Sequence, residues 1–255
     1  MLRRSTLALL FAAAVAAPAS AMVGGARDAT DGLGRALVTI VGSRGNFCSG
    51  ALIAPDLVLS AAHCVAPGAD YKVVQRDAQG QPQLRDIRRL AAHPRFDQRA
   101  IQANRATADV ALLQLTAPLS GKTPLPFGAP GDPLQAGQRF TVAGIGVAQR
   151  GDGKSGGTAR SAELIATGRP GRLQIRLVDP MTNNTRDGQG ACTGDSGGPA
   201  LQQQDGRALV IGVVSWSTGA NNASGCGGLT GVTPLTLYRD WIETTARSWG
   251  STLAK

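Results

Sequence analysis

Short apolar runs separated by Gly, Pro, Asp and Asn recur along most of the chain. Residues 36–41, 51–53, 57–60, 110–115, 140–143, 173–177 and 209–215 are rich in Val, Ile, Leu and Ala and are bounded by turn formers. Runs of this length and spacing predict the strands of a β-sandwich or β-barrel. Prolines at 118, 124, 126, 130 and 133 predict a connector between two halves, and the glycines of 151–157 predict a surface loop. Residues 236–249 contain neither Gly nor Pro and place Leu237, Trp241, Ile242 and Ala246 on one helical face. A helix is therefore predicted to close the chain. No repeat of fixed period is present.

Composition sharpens this picture. The 255 residues include 34 glycines and only 17% charged residues, which favours turns and β structure over long solvated helices. The length suits an all-β unit of roughly 200–250 residues. The first 21 residues stand apart. Arg3 and Arg4 precede an uncharged apolar run over 7–17, and Ala19 and Ala21 provide small residues at the spacing of a signal-peptidase site. This predicts an export signal over 1–21 and a secreted or periplasmic protein. No later stretch approaches the ~20 apolar residues of a spanning helix, so no membrane association is expected.

The formal charge is +9. The densest basic group is Arg85, Arg88, Arg89, Arg95, Arg99 and Arg105, and no aromatic stacking set accompanies it. A solvated basic face is expected, without nucleic-acid binding. Gly153-Lys154-Ser155 resembles the end of a phosphate-binding loop, but position 148, where that loop requires glycine, is Ala148. The four cysteines follow an export signal, and an even count there predicts two disulfides with three pairings open. Cys-x-x-Cys and His-x-x-x-His spacings are absent, so no metal and no cofactor are expected.

Three segments carry chemistry. Cys192-Thr193-Gly194-Asp195-Ser196-Gly197-Gly198-Pro199 sets a serine in a glycine-dense turn, where the N–H groups of Gly194 and Ser196 can converge as an oxyanion hole. A serine hydroxyl needs an adjacent base, and the chain has two histidines. His63, in Leu59-Ser60-Ala61-Ala62-His63-Cys64, follows an apolar strand and adjoins a cysteine, which would fix it. His93 precedes Pro94 at a strand-to-loop change and is assigned a structural role. Asp109 opens the apolar run 110–115; a carboxylate there is costly to bury unless paired, and His63 is its natural partner. Asp86 and Asp97 sit in polar surroundings. His63, Asp109 and Ser196 thus form the candidate catalytic triad.

These motifs, in the order His, Asp, Ser, together with Cys48-Ser49-Gly50-Ala51-Leu52-Ile53, Val214-Ser215-Trp216 and Asp240-Trp241-Ile242, resemble the trypsin/chymotrypsin family of serine proteases. The resemblance covers nearly all of 22–247 and is to an exported, bacterial type of member. It implies two six-stranded Greek-key β-barrels (about 22–118 and 133–235) around an active-site cleft, a C-terminal helix over about 236–247, and a tail over 248–255. It implies the pairings Cys48–Cys64 and Cys192–Cys226. Ser215 is expected beside Asp109, and Ser215, Trp216 and Ser217 along the substrate backbone. Gly190, Ala191, Ser217 and Gly231 are expected to line the S1 pocket. With no carboxylate at its floor, the pocket suits an uncharged, apolar P1 residue. Asp195 is expected to pair with the α-amino group of Met22, where the predicted signal cleavage falls, so that export itself activates the enzyme.

The chain departs from the family at Met22, where Ile or Val is usual, at Ile145, where Trp is common, and in the 221–228 loop. The acids after Tyr71 are too few for a calcium site. The partners implied are protein or peptide substrates and protein inhibitors, acting on a monomer. Two other readings exist on the same fold. One is a non-catalytic binding protein, which would normally lack a triad member or an oxyanion glycine; the other is a hydrolase acting mainly on esters.

Overall fold

A computed structural model describes residues 22–29, 32–77, 80–103, 105–128, 134–168 and 173–255. The predicted export signal lies outside them. A leading strand, β1 (Arg27–Asp28), precedes the first barrel of β2 (Leu37–Gly42), β3 (Phe47–Ala54), β4 (Leu57–Ser60), β5 (Tyr71–Arg76), β6 (Pro82–Ala92) and β7 (Ala111–Leu115). The second is built from β8 (Arg139–Gly144), β9 (Arg160–Ala166), β10 (Ile175–Val178), β11 (Pro199–Gln204), β12 (Arg207–Ser217) and β13 (Thr230–Pro234). Both are closed and antiparallel, and their strand orders match. The first runs β2-β3-β4-β7-β6-β5; the second runs β8-β9-β10-β13-β12-β11, with β1 added on β9. In each, the first three strands form a meander and the last three return in reverse order, a Greek-key pattern.

Of the strands missing from the sequence reading, β6 and β13 have clear physical explanations. The side chains of β6 are almost all exposed or half-buried, so its Arg-rich sequence shows no apolar run; it persists because β5 and β7 pair with it on both sides. The sequence of β13, Thr-Gly-Val-Thr-Pro, looks like a turn, yet every residue in it is buried between β10 and β12. Leu173, placed in a predicted strand, is 56% exposed and precedes β10. A short helix, α1 (Gln98–Gln102), was also not expected; the side chain of Asp97 caps it by accepting from the N–H of Arg99.

The connector crosses between barrels. Leu125 donates its N–H to the carbonyl of Leu52 in β3, and two residues on Phe127 bridges to Val210 in β12. The closing helix, α2 (Arg239–Trp249), begins three residues later than the sequence spacing suggested and ends at the same residue. A 3₁₀ turn (Leu235–Leu237) precedes it, and Gly250, at φ +78°, terminates it. Although α2 follows the second barrel, its Ile242 and Ala246 share a core with Leu52, Ile53 and Leu113 of the first. The residues after it are not a loose tail. The side-chain amide of Gln114 donates to the carbonyl of Trp249 and to the Ser251 hydroxyl, and Ala254 donates to the carbonyl of Ile53. Chain end and first barrel are thus one packed unit. Among the described residues, no helix is long and apolar enough to cross a membrane.

Candidate active site

The site grows from one strand pair. β4 pairs with β7, placing Ser60 opposite Ala111. His63, just after β4, and Asp109, just before β7, therefore emerge at the same end of the first barrel. His63 lies in a 3₁₀ turn (Ala62–Val65) that is pinned by the Cys48–Cys64 disulfide, with Cα atoms 6.0 Å apart. Asp109 is fully buried. It accepts twice from His63: from the backbone N–H at 2.9 Å and from Nδ1 at 2.8 Å. Ser215 of β12 donates its hydroxyl to the same oxygen, Oδ2, that holds Nδ1. The histidine is thereby fixed with Nδ1 toward the acid, leaving Nε2 on the side away from it.

Ser196 comes from the second half of the chain. The Cys192–Cys226 disulfide (Cα–Cα 4.9 Å) anchors the loop that carries it. Gly197, at φ +84°, lies so close to the first barrel that a β-carbon would stand 2.1 Å from Ser60 Oγ and 2.2 Å from the carbonyl oxygen of Ser49. The serine turn is thus pressed against the strand end that supplies the histidine. One sulfur marks the convergence: Cys64 Sγ lies 3.7 Å from His63 Nε2 and 3.6 Å from the Ser196 carbonyl. The N–H groups of Asp195, Gly197 and Gly198 donate inward, to Cys192, Val214 and Asp195. Those of Gly194 and Ser196 take no protein acceptor among the described residues.

Asp195, next to the serine, is fully buried. Its two oxygens accept from Gly146 N–H and Cys192 N–H, each at 2.8 Å. Burial pushes its carboxyl up to about 7; those two N–H groups and the nearby Arg160 only partly counter this. Met22 is buried in the core of the second barrel with Phe140, Ala191 and Val214, and holds φ +45°. Val23 donates to the Gly190 carbonyl at 3.1 Å.

The four residues predicted for S1 lie around the end of the β12–β13 pair. Ala191 donates its N–H to Thr230 Oγ1, while Ser217 pairs with Thr230 and Gly231 with Trp216. Trp216 packs its indole over Gly231, where a β-carbon would stand 2.1 Å from the ring. Thr230, buried beside Gly190 and Ala191, was not foreseen. Its type and its place between Leu229 and Gly231 gave no signal.

His93 is buried with its ring edge-on to Tyr238 and Trp241 of the α2 region, at 4.9 and 5.0 Å. Its Nδ1 accepts from Arg95 N–H, and burial followed by the Arg95 charge pulls its pKa down. It anchors the closing helix. Cys48, His63 and Cys64 also group closely. Both sulfurs are committed to the disulfide and Nδ1 to Asp109, so the group offers no thiolate to a metal.

The family model "Trypsin" matches residues 23–242. The chain belongs to the trypsin family. Human Serine protease 56 is 30% identical over 217 residues, covering 77% of this chain and 34% of the relative. The bovine Suppressor of tumorigenicity 14 protein homolog is 28% identical over 225 residues, covering 78% and 25% respectively. The chain therefore spans about a third or less of these relatives' lengths. Among solved structures, human heparin binding protein superposes with a TM-score of 0.67 at 28% identity, covering 87% of this chain and 95% of that one.

Proposed function

We propose that the chain is a serine endopeptidase in which Ser196 is the nucleophile, His63 the general base and acid, and Asp109 the orienting acid. The observation that carries this reading is the chain of hydrogen bonds from His63 Nδ1 to Asp109 Oδ2 to Ser215. It leaves Nε2 to accept the Ser196 hydroxyl proton as Oγ attacks the scissile carbonyl. The carbonyl oxygen, now negative, is stabilised by the free N–H groups of Gly194 and Ser196, each donor contributing about 2.7–4 kcal/mol to the transition state. Collapse of the tetrahedral intermediate breaks the C–N bond; the protonated histidine gives its proton to the departing amine, and an acyl-enzyme forms. Water, deprotonated by the same histidine, releases the acid and restores Ser196.

Export with cleavage after Ala21 would complete the site. Met22 already sits in the second-barrel core in a left-handed conformation, which a side-chain-bearing residue adopts at a cost of about 1–2 kcal/mol. A new α-amino group there would relieve that constraint and offer a cation to Asp195. Substrates would pair with residues 215–217 as an added strand, with an uncharged, apolar P1 side chain beside Gly190, Ala191, Ser217 and Gly231. The protein is read as a secreted or periplasmic monomer.

Turnover of a peptide p-nitroanilide library and of the matching esters tests the reading. Hydrolysis of apolar-P1 amides, abolished in Ser196→Ala, is expected. Ester turnover without amide turnover favours an esterase, and turnover only after Arg or Lys overturns the P1 assignment.

A further inference from the structure

Ser49 in β3 is fully buried and belongs to the first barrel, yet its hydrogen bonds hold the serine turn of the second. Its Oγ donates to the Gly194 carbonyl at 2.8 Å and accepts from the Ile145 N–H at 2.8 Å. Its own N–H donates to the Ser196 carbonyl at 2.8 Å, and its carbonyl accepts from Ser60 Oγ at 2.9 Å. We propose that Ser49 is a positioning residue for the oxyanion hole, fixing from the other barrel the two peptides that alternate with the two donating ones.

The turn contains four successive peptides. Those following Gly194 and Ser196 have their carbonyls on Ser49 and their N–H groups on Cys192 and Val214. The intervening peptides end in the N–H groups of Gly194 and Ser196, which face no protein acceptor. Gly194 holds φ +91° and, lacking a β-carbon, has no strong preference for that conformation. Pinning its carbonyl supplies the constraint that its side chain does not. The neighbouring clasp, Gly146 N–H to Asp195, depends on a buried carboxylate; the Ser49 clasp involves no ionisable group and holds before and after processing of the N-terminus. Removing the hydroxyl leaves the Gly194 carbonyl and the Ile145 N–H buried without it, and a shift of the donors by a fraction of an ångström is enough to slow acylation.

The inference rests on the protease reading, and the experiment separates the two. Wild type, Ser49→Ala and Ser49→Thr are titrated with a fluorophosphonate, and kcat is expressed per titrated site on a peptide p-nitroanilide. Affinity for a peptide boronic acid, which forms a tetrahedral adduct, is measured alongside. Ser49→Ala is expected to lose about 10- to 100-fold in kcat with KM within about twofold, and to lose boronate affinity in parallel. Ser49→Thr, which keeps the hydroxyl, is expected to stay within a fewfold of wild type. An active wild type with Ser49→Ala unchanged per site overturns the inference alone, as does Ser49→Thr falling as far as Ser49→Ala. Should Ser49→Ala not fold, the Thr variant still decides by its kcat and boronate affinity. A wild type that neither labels nor hydrolyses overturns the protease reading and this inference with it.

Discussion

Ser215 Oγ and His63 Nδ1 meet on one oxygen of Asp109, and they reach it from different barrels. Asp109 is therefore the group through which the two halves of the site are registered. An Asp109→Asn variant keeps the shape but presents an N–H where Nδ1 needs an acceptor, favouring the wrong tautomer. It is expected to lose about 10⁴-fold in kcat. Ser215→Ala removes one of three hydrogen bonds to the carboxylate and is expected to lose far less, about 3- to 30-fold. Steady-state kinetics on a peptide amide checks both.

Asp195 is expected to make the stability of the uncleaved chain depend on pH. Its carboxyl is raised from 3.8 to about 7 by burial, so the folded state binds the proton more tightly than the unfolded state. That contribution is fully present below about pH 4 and is lost as pH rises through 7. A chain blocked in cleavage before Met22 is expected to have a higher Tm at pH 5 than at pH 8. Asp195→Asn should flatten this difference, and so should the proposed processing, which would place an α-amino cation by the carboxylate. Thermal scans at the two pH values measure it.

Edman sequencing of the exported protein tests the activation step. A mature start at Met22 is expected. Any other start leaves no α-amino group at the buried position that Met22 occupies.

The disulfides have separable effects. Replacing Cys48 and Cys64 by Ala opens a bridge of sequence separation 16, with an expected loss of about 3 kcal/mol in stability. Because His63 adjoins Cys64, kcat should fall as well. Denaturant titration with parallel kinetics distinguishes this from a purely stabilising role.

Two glycines of nearly equal φ make a paired test of close approach. Gly45, at φ +83°, has nothing within 4 Å of its β-carbon position, whereas Gly197, at φ +84°, faces Ser60 and the Ser49 backbone. Gly45→Ala is expected to cost about 1–2 kcal/mol. Gly197→Ala should cost several times more, since the barrels must part to admit the methyl. Urea unfolding midpoints compare them.

These pairs also show where sequence was legible. The strands that place His63 and Asp109, β4 and β7, are wholly buried and mostly apolar, so the run of apolar residues found them. β5, β6, β9, β11 and β13 were not read as strands; of these, β6 is exposed or half-buried throughout and β13 is a fully buried Thr-Gly-Val-Thr-Pro, so neither carries an apolar alternation, and both are held by strands on either side. His63, Asp109 and Ser196, the proposed base, acid and nucleophile, were singled out by residue type and surroundings. Ser49, Ser60 and Thr230 were not, since a small hydroxyl acquires its role only from the carbonyl or N–H that folding brings to it.

The most direct test of the account is fluorophosphonate labelling of the purified, exported protein, with the adduct mapped by mass spectrometry and Ser196→Ala as control. The account predicts a single adduct on Ser196, abolished in the variant and strongly slowed by Asp109→Asn. A folded, doubly disulfide-bonded protein starting at Met22 that takes no label, or takes it equally in Ser196→Ala, would contradict it.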